Sequence, residues 1–232
     1  MLAKKYRSEI VAIHNPFEGI YTLEFVSLDR PFKYLPGQFL HVAIDEDYDG
    51  TGQWPESRCF SIQSNPDEKT LRVTYAVKGE FTGQMEKQLK VGSEVWLKLP
   101  YGDLFQQPHL KDSAVFIAGG TGITPFLSLF THRSFDEYVN PKIYLGFKNS
   151  NFNIYAPELE AIGRVNTSFS QANLKIFYQD VDGIIDIEQI FQENGVRATY
   201  IISGPPAMIK AFKGTLIEKG VASNAVLTDD WE

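Results

Sequence analysis

The residues best suited to chemistry lie in two turns rich in glycine and proline and in one short arginine-bearing strand. Ala118 to Pro125 reads AGGTGITP. Gly120, Thr121 and Gly122 carry little or no side chain, so a phosphate-bearing ligand can approach the backbone, whose N–H groups can face an anion. Thr124 follows, and Pro125 suits the first turn of a helix, where its missing N–H has no intrahelical partner. A tight structural turn can have the same composition. Ser203 to Met208 reads SGPPAM and also follows an apolar run. Gly204, Pro205 and Pro206 either border a ligand or simply redirect the chain.

Two further segments offer complementary groups. In Arg58 to Ser61, RCFS, the guanidinium can grip a pyrophosphate with two parallel hydrogen bonds. Phe60 supplies a flat aromatic face, and the Ser61 hydroxyl can donate or accept. In Lys78 to Gly83, KGEFTG, backbone amides and the Thr82 hydroxyl can meet phosphate. The competing reading of Thr82 is a helix cap.

These segments need strands and helices to hold them. Up to Leu99 the chain alternates or clusters apolar residues between turn signals at Glu9–Ile13, Ile20–Val26, Phe39–Ile44, Arg58–Ile62, Leu71–Val77 and Glu94–Leu99. Leu71, Val73, Tyr75 and Val77 fall at period 2, which marks a half-buried strand. Short strands at this density predict a small antiparallel barrel, whose closure removes exposed edges, with one short helix over Gln84–Leu89. From Ser113 the rhythm changes. SAVFIA is continuously apolar, as a strand covered on both faces requires. Strands at Lys142–Phe147, Leu174–Tyr178 and Thr199–Ser203 then alternate with helices at Pro125–Phe130, Ala156–Ile162, Ile187–Asn194 and Pro206–Lys219. That alternation predicts a parallel sheet with helices on both faces. A polar stretch containing Pro108, Gln106 to Asp112, is the expected boundary, giving domains at 1–108 and 109–232.

Composition excludes several classes. The net charge of −7 argues against a general nucleic-acid binder, and Lys4, Lys5 and Arg7 read as a solvated strand edge. One cysteine makes no disulfide framework, four-cysteine zinc site or iron–sulfur cluster. His14, His41, His109 and His132 are isolated in sequence, so no metal site is expected. MLAKKYRSEI lacks the apolar core of a secretory leader, and no run of about 18 apolar residues exists to span a membrane. A cytoplasmic location is expected.

PGQF (Pro36 to Phe39), RCFS, KGEFTG, LPYGDLF (Leu99 to Phe105), AGGTGITPF and SGPPAM occur in this order. In that order the chain resembles the ferredoxin–NADP(H) reductase superfamily in its compact bacterial form, across nearly its whole length. The resemblance implies an FAD-binding barrel followed by an NAD(P)-binding α/β domain. It implies that Arg58 binds the flavin pyrophosphate, Phe60 packs on the isoalloxazine, and Ser61 bonds flavin N5. It places Val77, Gly79 and Thr82 in the segment wrapping the FAD. Gly120, Thr121, Gly122, Thr124 and Pro125 would form the nucleotide loop, and Ser203, Gly204, Pro205 and Pro206 would border the nicotinamide. At the C-terminus it implies that Trp231 stacks on the flavin and that Asp229 or Asp230 approaches the reacting centre. Ser61, Ser203, Asp230 and Trp231 are thus the expected catalytic set. Two positions depart from the pattern. Ser203 stands where the family usually has cysteine, and Phe60 where it usually has tyrosine.

The implied activity is hydride transfer from NADH or NADPH to FAD. Electrons would then pass to a ferredoxin, flavodoxin or oxygenase component. A reductase of free flavin or another small acceptor is the alternative, and a non-catalytic redox-sensing module a third. Lys148, Asn149 and Ser150 could serve a 2′-phosphate, whereas Tyr178-Gln179-Asp180 contains no arginine. The balance tilts toward NADH.

Overall fold

A computed structural model describes residues 2–166 and 168–229. The chain divides into two compact units, Met1–Asp103 and Leu104–Glu232. The division falls a little ahead of the polar Gln106–Asp112 stretch expected from sequence.

The first unit is a six-stranded antiparallel sheet in the order β4-β3-β6-β1-β2-β5. Its strands are β1 (Lys4–Phe17), β2 (Ile20–Ser27), β3 (Phe39–Ala43), β4 (Arg58–Ser61), β5 (Leu71–Ala76) and β6 (Glu94–Tyr101). Just beyond β4, the Gln63 amide donates to the Arg72 carbonyl of β5 at 2.9 Å. That bond draws the two edges together into a near-barrel. Alternation decides the interior: Leu23 and Phe25, Leu71, Val73 and Tyr75, and Val95, Leu97 and Leu99 all bury on one face. β1 is longer than the apolar pattern implied. It pairs on one side with β6 and on the other with β2, with register shifts between Ile10 and Ala12 and between His14 and Phe17. The bulges let a long strand bend between two partners.

PGQF forms a turn in which Gly37 takes a φ of 79°, a region that favours glycine. Gln38 then pins the turn. Its Oε1 accepts from the Leu35 amide at 2.8 Å, and its Nε2 donates to the Gly102 carbonyl at 2.8 Å. One amide thereby ties the entry of β3 to the end of β6. The single helix among the described residues here, α1, runs from Glu80 to Gln88 and starts four residues earlier than its apolar residues suggested. Thr82 causes the early start. It is the third helical residue, and its Oγ1 accepts from the amides of Lys78 at 3.0 Å and Gly79 at 3.1 Å. Gly79, not Thr82, is the N-cap residue.

The second unit is a parallel five-stranded sheet in the order β11-β10-β7-β8-β9. The strands are β7 (Ala114–Gly119), β8 (Lys142–Phe147), β9 (Leu174–Tyr178), β10 (Thr199–Ser203) and β11 (Val226–Thr228). The helices α2 (Thr124–Phe130), α3 (Ala156–Val165), α4 (Ile187–Asn194) and α5 (Pro206–Glu218) connect them. β7 lies at the centre. Ala114, Phe116 and Ala118 enter one core cluster, Val115 and Ile117 the opposite one. This explains the continuous apolar run, because both pleat faces are covered. β11 is the strand the sequence reading missed. It pairs over Tyr200–Ile202 only, too short for a periodic signal.

Candidate functional site

In the first unit, β4 and the start of α1 meet through Arg58. The Arg58 guanidinium lies 5.0 Å above the centre of the Phe81 ring, in the first turn of α1. It also ion-pairs with Glu56 at 2.9 Å and donates to the Ser57 carbonyl at 2.9 Å. RCFS and KGEFTG are thus brought together. The amides of Glu80, Phe81 and Thr82 have no acceptor within the helix. A cation beside a helix N-terminus is a donor set that fits a diphosphate. Thr82 also contributes to the local loop. Its hydroxyl also donates to the Gly79 carbonyl at 3.1 Å, so it shapes the loop.

Phe60 and Ser61 are both buried on β4. Phe60 belongs to the barrel core and is tilted against Tyr75 at 5.7 Å between ring centres. Val77 follows β5, and its amide donates to the Gly19 carbonyl at 2.8 Å. Between Arg58 and Phe60, Cys59 packs its Sγ 3.4 Å from His41 Nε2. Burial pushes the thiol up and the imidazole down from their usual values. Both groups are neutral near pH 7, so Cys59 is no thiolate nucleophile.

In the second unit, strand order supplies the site. From β7 the chain builds outward through β8 to β9, then returns to the other side of β7 for β10 and β11. The order therefore reverses between β7 and β10, and open α/β sheets bind ligands at such a switch point, beyond the carboxyl ends of the strands. Register pairs Ala118 with Ser203, so the two glycine-bearing turns leave the sheet side by side. Their backbones touch. A Cβ on Gly122 would lie 2.4 Å from Gly204 Cα and 2.6 Å from the Ser203 carbonyl oxygen. One on Gly204 would meet Met208 Cε at 2.7 Å and Gly119 N at 3.1 Å. Gly204 also takes a φ of 150°.

Gly120 does something else. Its φ is 55°, and no atom lies within 4 Å of where a Cβ would stand. The turn is open there and closed at Gly122, a cradle that fits a pyrophosphate. Thr121 belongs to a 3-10 turn over Gly120–Ile123. The buried Thr124 donates its hydroxyl to the Thr121 carbonyl at 3.0 Å and so steadies that turn. Pro125 sits in the first turn of α2, as its chemistry predicts. Pro205 caps α5, its carbonyl accepting from Met208 and Ile209, and Pro206 opens the helix.

Ser203 is almost fully buried at the end of β10. Its Oγ donates to Asp229 Oδ2 at 3.1 Å. Asp229 is held by its own backbone, its amide donating to the Ile202 carbonyl at 3.0 Å. The acid that meets Ser203 is therefore Asp229. Asp230 and Trp231 lie outside the described residues. β11 places Asp229, and that strand was not legible in the sequence. Gly119 and Met208 were also missed. They pack between the two turns, and only the parallel pairing of β7 with β10 brings them together. Among the described residues no group of three or more His, Cys, Asp or Glu could hold a metal ion. No described helix is long and apolar enough to cross a membrane.

Comparison with known proteins agrees with this geometry. Residues 116–214 match the family described as the oxidoreductase NAD-binding domain. The chain is 30% identical to the reductase component of phenol 2-monooxygenase from Pseudomonas sp. (strain CF600), over 91% of its own length and 60% of that relative's. It is 25% identical to the reductase component of propane 2-monooxygenase from Mycolicibacterium goodii, over 97% of its length and 67% of the relative's. Among solved structures, a ferredoxin NADP+ reductase from Neisseria gonorrhoeae with bound FAD and NADP aligns with a TM-score of 0.74. It is 19% identical and covers 94% of this chain and 92% of that one. This chain therefore shares the fold of that protein. The chain thus carries a match to the oxidoreductase NAD-binding domain over residues 116–214 and is similar in sequence to reductase components of monooxygenases.

Proposed function

We propose that this protein binds FAD on its first unit and NADH or NADPH on its second, and works as an NAD(P)H-dependent flavoprotein reductase. The observation that carries the reading is the backbone contact of Gly122 with Ser203–Gly204 at the switch point. A contact that tolerates no Cβ, next to an open Gly120, suits a turn built to hold a pyrophosphate. When bound, the nicotinamide and flavin supply the hydride donor and acceptor. Arg58 and the first turn of α1 hold the flavin diphosphate. Ser203, fixed by Asp229, presents a hydroxyl of known orientation at the end of β10. Ser61 is the proposed hydrogen-bond partner of flavin N5 on the first unit, and Asp230 and Trp231 are further proposed catalytic residues. The protein's part in lowering the barrier is orientation, which can replace a large fraction of the entropic cost of bringing two rings together.

The proposed electron acceptor is a protein of the oxygenase-component type. Two relatives named as reductase components of monooxygenases support this. Anaerobic titration of the FAD-loaded protein with NADH and NADPH is the test. Bleaching of the flavin absorbance at one equivalent is the expected result. A flavin that neither nucleotide bleaches would remove the reductase reading. Reoxidation of the reduced protein faster by free FMN than by a ferredoxin would replace the protein acceptor with a small one.

A further inference from the structure

Gly119 and Gly204 have one neighbour in common. A Cβ on Gly119 would lie 3.0 Å from Met208 Sδ and 3.3 Å from its Cε, and one on Gly204 would lie 2.7 Å from the same Cε. The thioether thus fills the space that two side chains would otherwise need. Gly119 ends β7 and Gly204 follows β10, so Met208 is wedged between the strand ends from which both turns depart. Its backbone fixes it there. Met208 lies in the first turn of α5, and its amide donates to the Pro205 carbonyl at 2.9 Å. The next residue, Ile209, is buried in the core beside β10.

Solvent nevertheless reaches this side chain. Met208 is only partly buried, and Pro205, Pro206 and Ala207 before it are exposed. The chain has three methionines. Met85 is fully buried in the barrel core, and Met1 lies outside the described residues. Among the described residues, Met208 is therefore the methionine that a dissolved oxidant meets first. A thioether suits the crevice because it is unbranched, apolar and adapts to irregular gaps. Oxidation to the sulfoxide makes the same side chain polar and adds an oxygen that accepts hydrogen bonds. The Gly119 carbonyl oxygen lies 3.2 Å from the Gly204 Cβ position that the Met208 methyl crowds. An acceptor would there be set against an acceptor.

We propose that Met208 is an oxidisable positioning residue through which peroxide weakens nucleotide binding. Hydrogen peroxide transfers an oxygen atom to Sδ. An S–O bond forms, the O–O bond breaks, sulfur gives up two electrons, and the peroxide leaves as water. The sulfoxide either stays in the crevice and pushes the strand ends apart, or leaves it and takes away their spacer. In both cases the fit of Gly122 against Gly204 is disturbed. Enzymatic reduction of the sulfoxide reverses the change, so the device is a switch. The inference rests on nucleotide binding at the β7–β10 switch point and adds a control to that site. Its test reads binding to the second unit without requiring turnover.

The experiment is calorimetric titration of the FAD-loaded protein with 5′-ADP before and after treatment with hydrogen peroxide. Peptide mass spectrometry places the added oxygen. The parent should gain oxygen at Met208 and then bind 5′-ADP about tenfold more weakly. Methionine sulfoxide reductases for both epimers should together restore the affinity. Met208→Leu, which has no sulfur at this position, should bind 5′-ADP equally before and after peroxide. Cys59→Ser should keep the parent's full response, because the other oxidisable sulfur sits in the first unit. Oxidation at Met85 ahead of Met208, or an unchanged affinity once Met208 is oxidised, overturns the proposal. So does a Met208→Leu protein that peroxide still weakens, or a Cys59→Ser protein that it does not. An untreated parent that fails to bind 5′-ADP removes the switch-point reading itself.

Discussion

Replacing Gly122 by alanine probes the contact on which the nucleotide site depends. Gly122 needs no special φ, so the effect is purely steric. The new methyl group would stand 2.4 Å from Gly204 Cα, 2.5 Å from Gly204 N and 2.6 Å from the Ser203 carbonyl, where ordinary contacts begin at 3.4 Å. All three atoms are backbone, so no side chain can swing aside. The two turns must part by about 1 Å. Overpacking of this kind costs roughly 1–3 kcal/mol. A misplacement near 1 Å at a reacting geometry costs on the order of 100-fold in rate. Gly122→Ala should therefore unfold at lower urea by that free energy and lose about two orders of magnitude in flavin reduction by NADH at saturation. Gly214→Ala is the control. Gly214 lies in α5 with no atom within 4 Å of its Cβ position. There alanine should stabilise by about 1 kcal/mol through helix propensity alone. A Gly122→Ala protein as stable as the parent, with normal flavin reduction, would refute the close contact and the function built on it.

Three further outcomes are expected. Asp186 caps α4, its Oδ1 accepting from Glu188 N at 2.8 Å and Gln189 N at 3.3 Å; Asp186→Ala should cost about 1 kcal/mol in a urea melt, and an unchanged midpoint would deny the cap. Burial depresses His41 and His109 below the ordinary 6.5, so the folded state binds fewer protons than the unfolded one and stability rises with pH. Their stabilisation is complete above pH 6.5 and is lost as pH falls from there through the folded values. Urea melts at descending pH should show that loss, and a His41→Gln, His109→Gln double variant should flatten it; a parent that gains stability on acidification contradicts the sign. Arg58→Lys keeps the charge but loses the two-pronged fork, so FAD should bind about tenfold more weakly, and full FAD retention on dilution would free Arg58 from the diphosphate.

His109 also illustrates how local geometry sets a protonation state. Nδ1 lies 2.7 Å from the Gln107 carbonyl and Nε2 lies 2.7 Å from the Tyr138 hydroxyl. A carbonyl can only accept, so Nδ1 carries the proton and Nε2 receives the tyrosine's. Burial raises the Tyr138 phenol well above its usual value, which keeps it a donor. Protonating His109 would require the Tyr138 hydroxyl to turn its own proton away and accept instead.

Local sequence determined a good deal about this protein. The period-2 spacing of Leu71, Val73 and Tyr75, all buried, and the unbroken apolar run before Gly119 follow from which pleat faces are covered, and residue type alone records that. The order of RCFS, KGEFTG, AGGTGITP and SGPPAM marked the segments that could meet phosphates. Tertiary structure decided what those segments do. Thr82 folds back on Lys78 and Gly79, because a hydroxyl one turn into a helix reaches the amides before it. Gly122 requires glycine because β10, distant in the chain, runs parallel beside β7. Asp229 meets Ser203 because β11, three residues long, adds to the edge of the sheet. Each of these is a contact across the sheet, set by strand order and register, and strand order leaves no periodic trace in the residues it brings together.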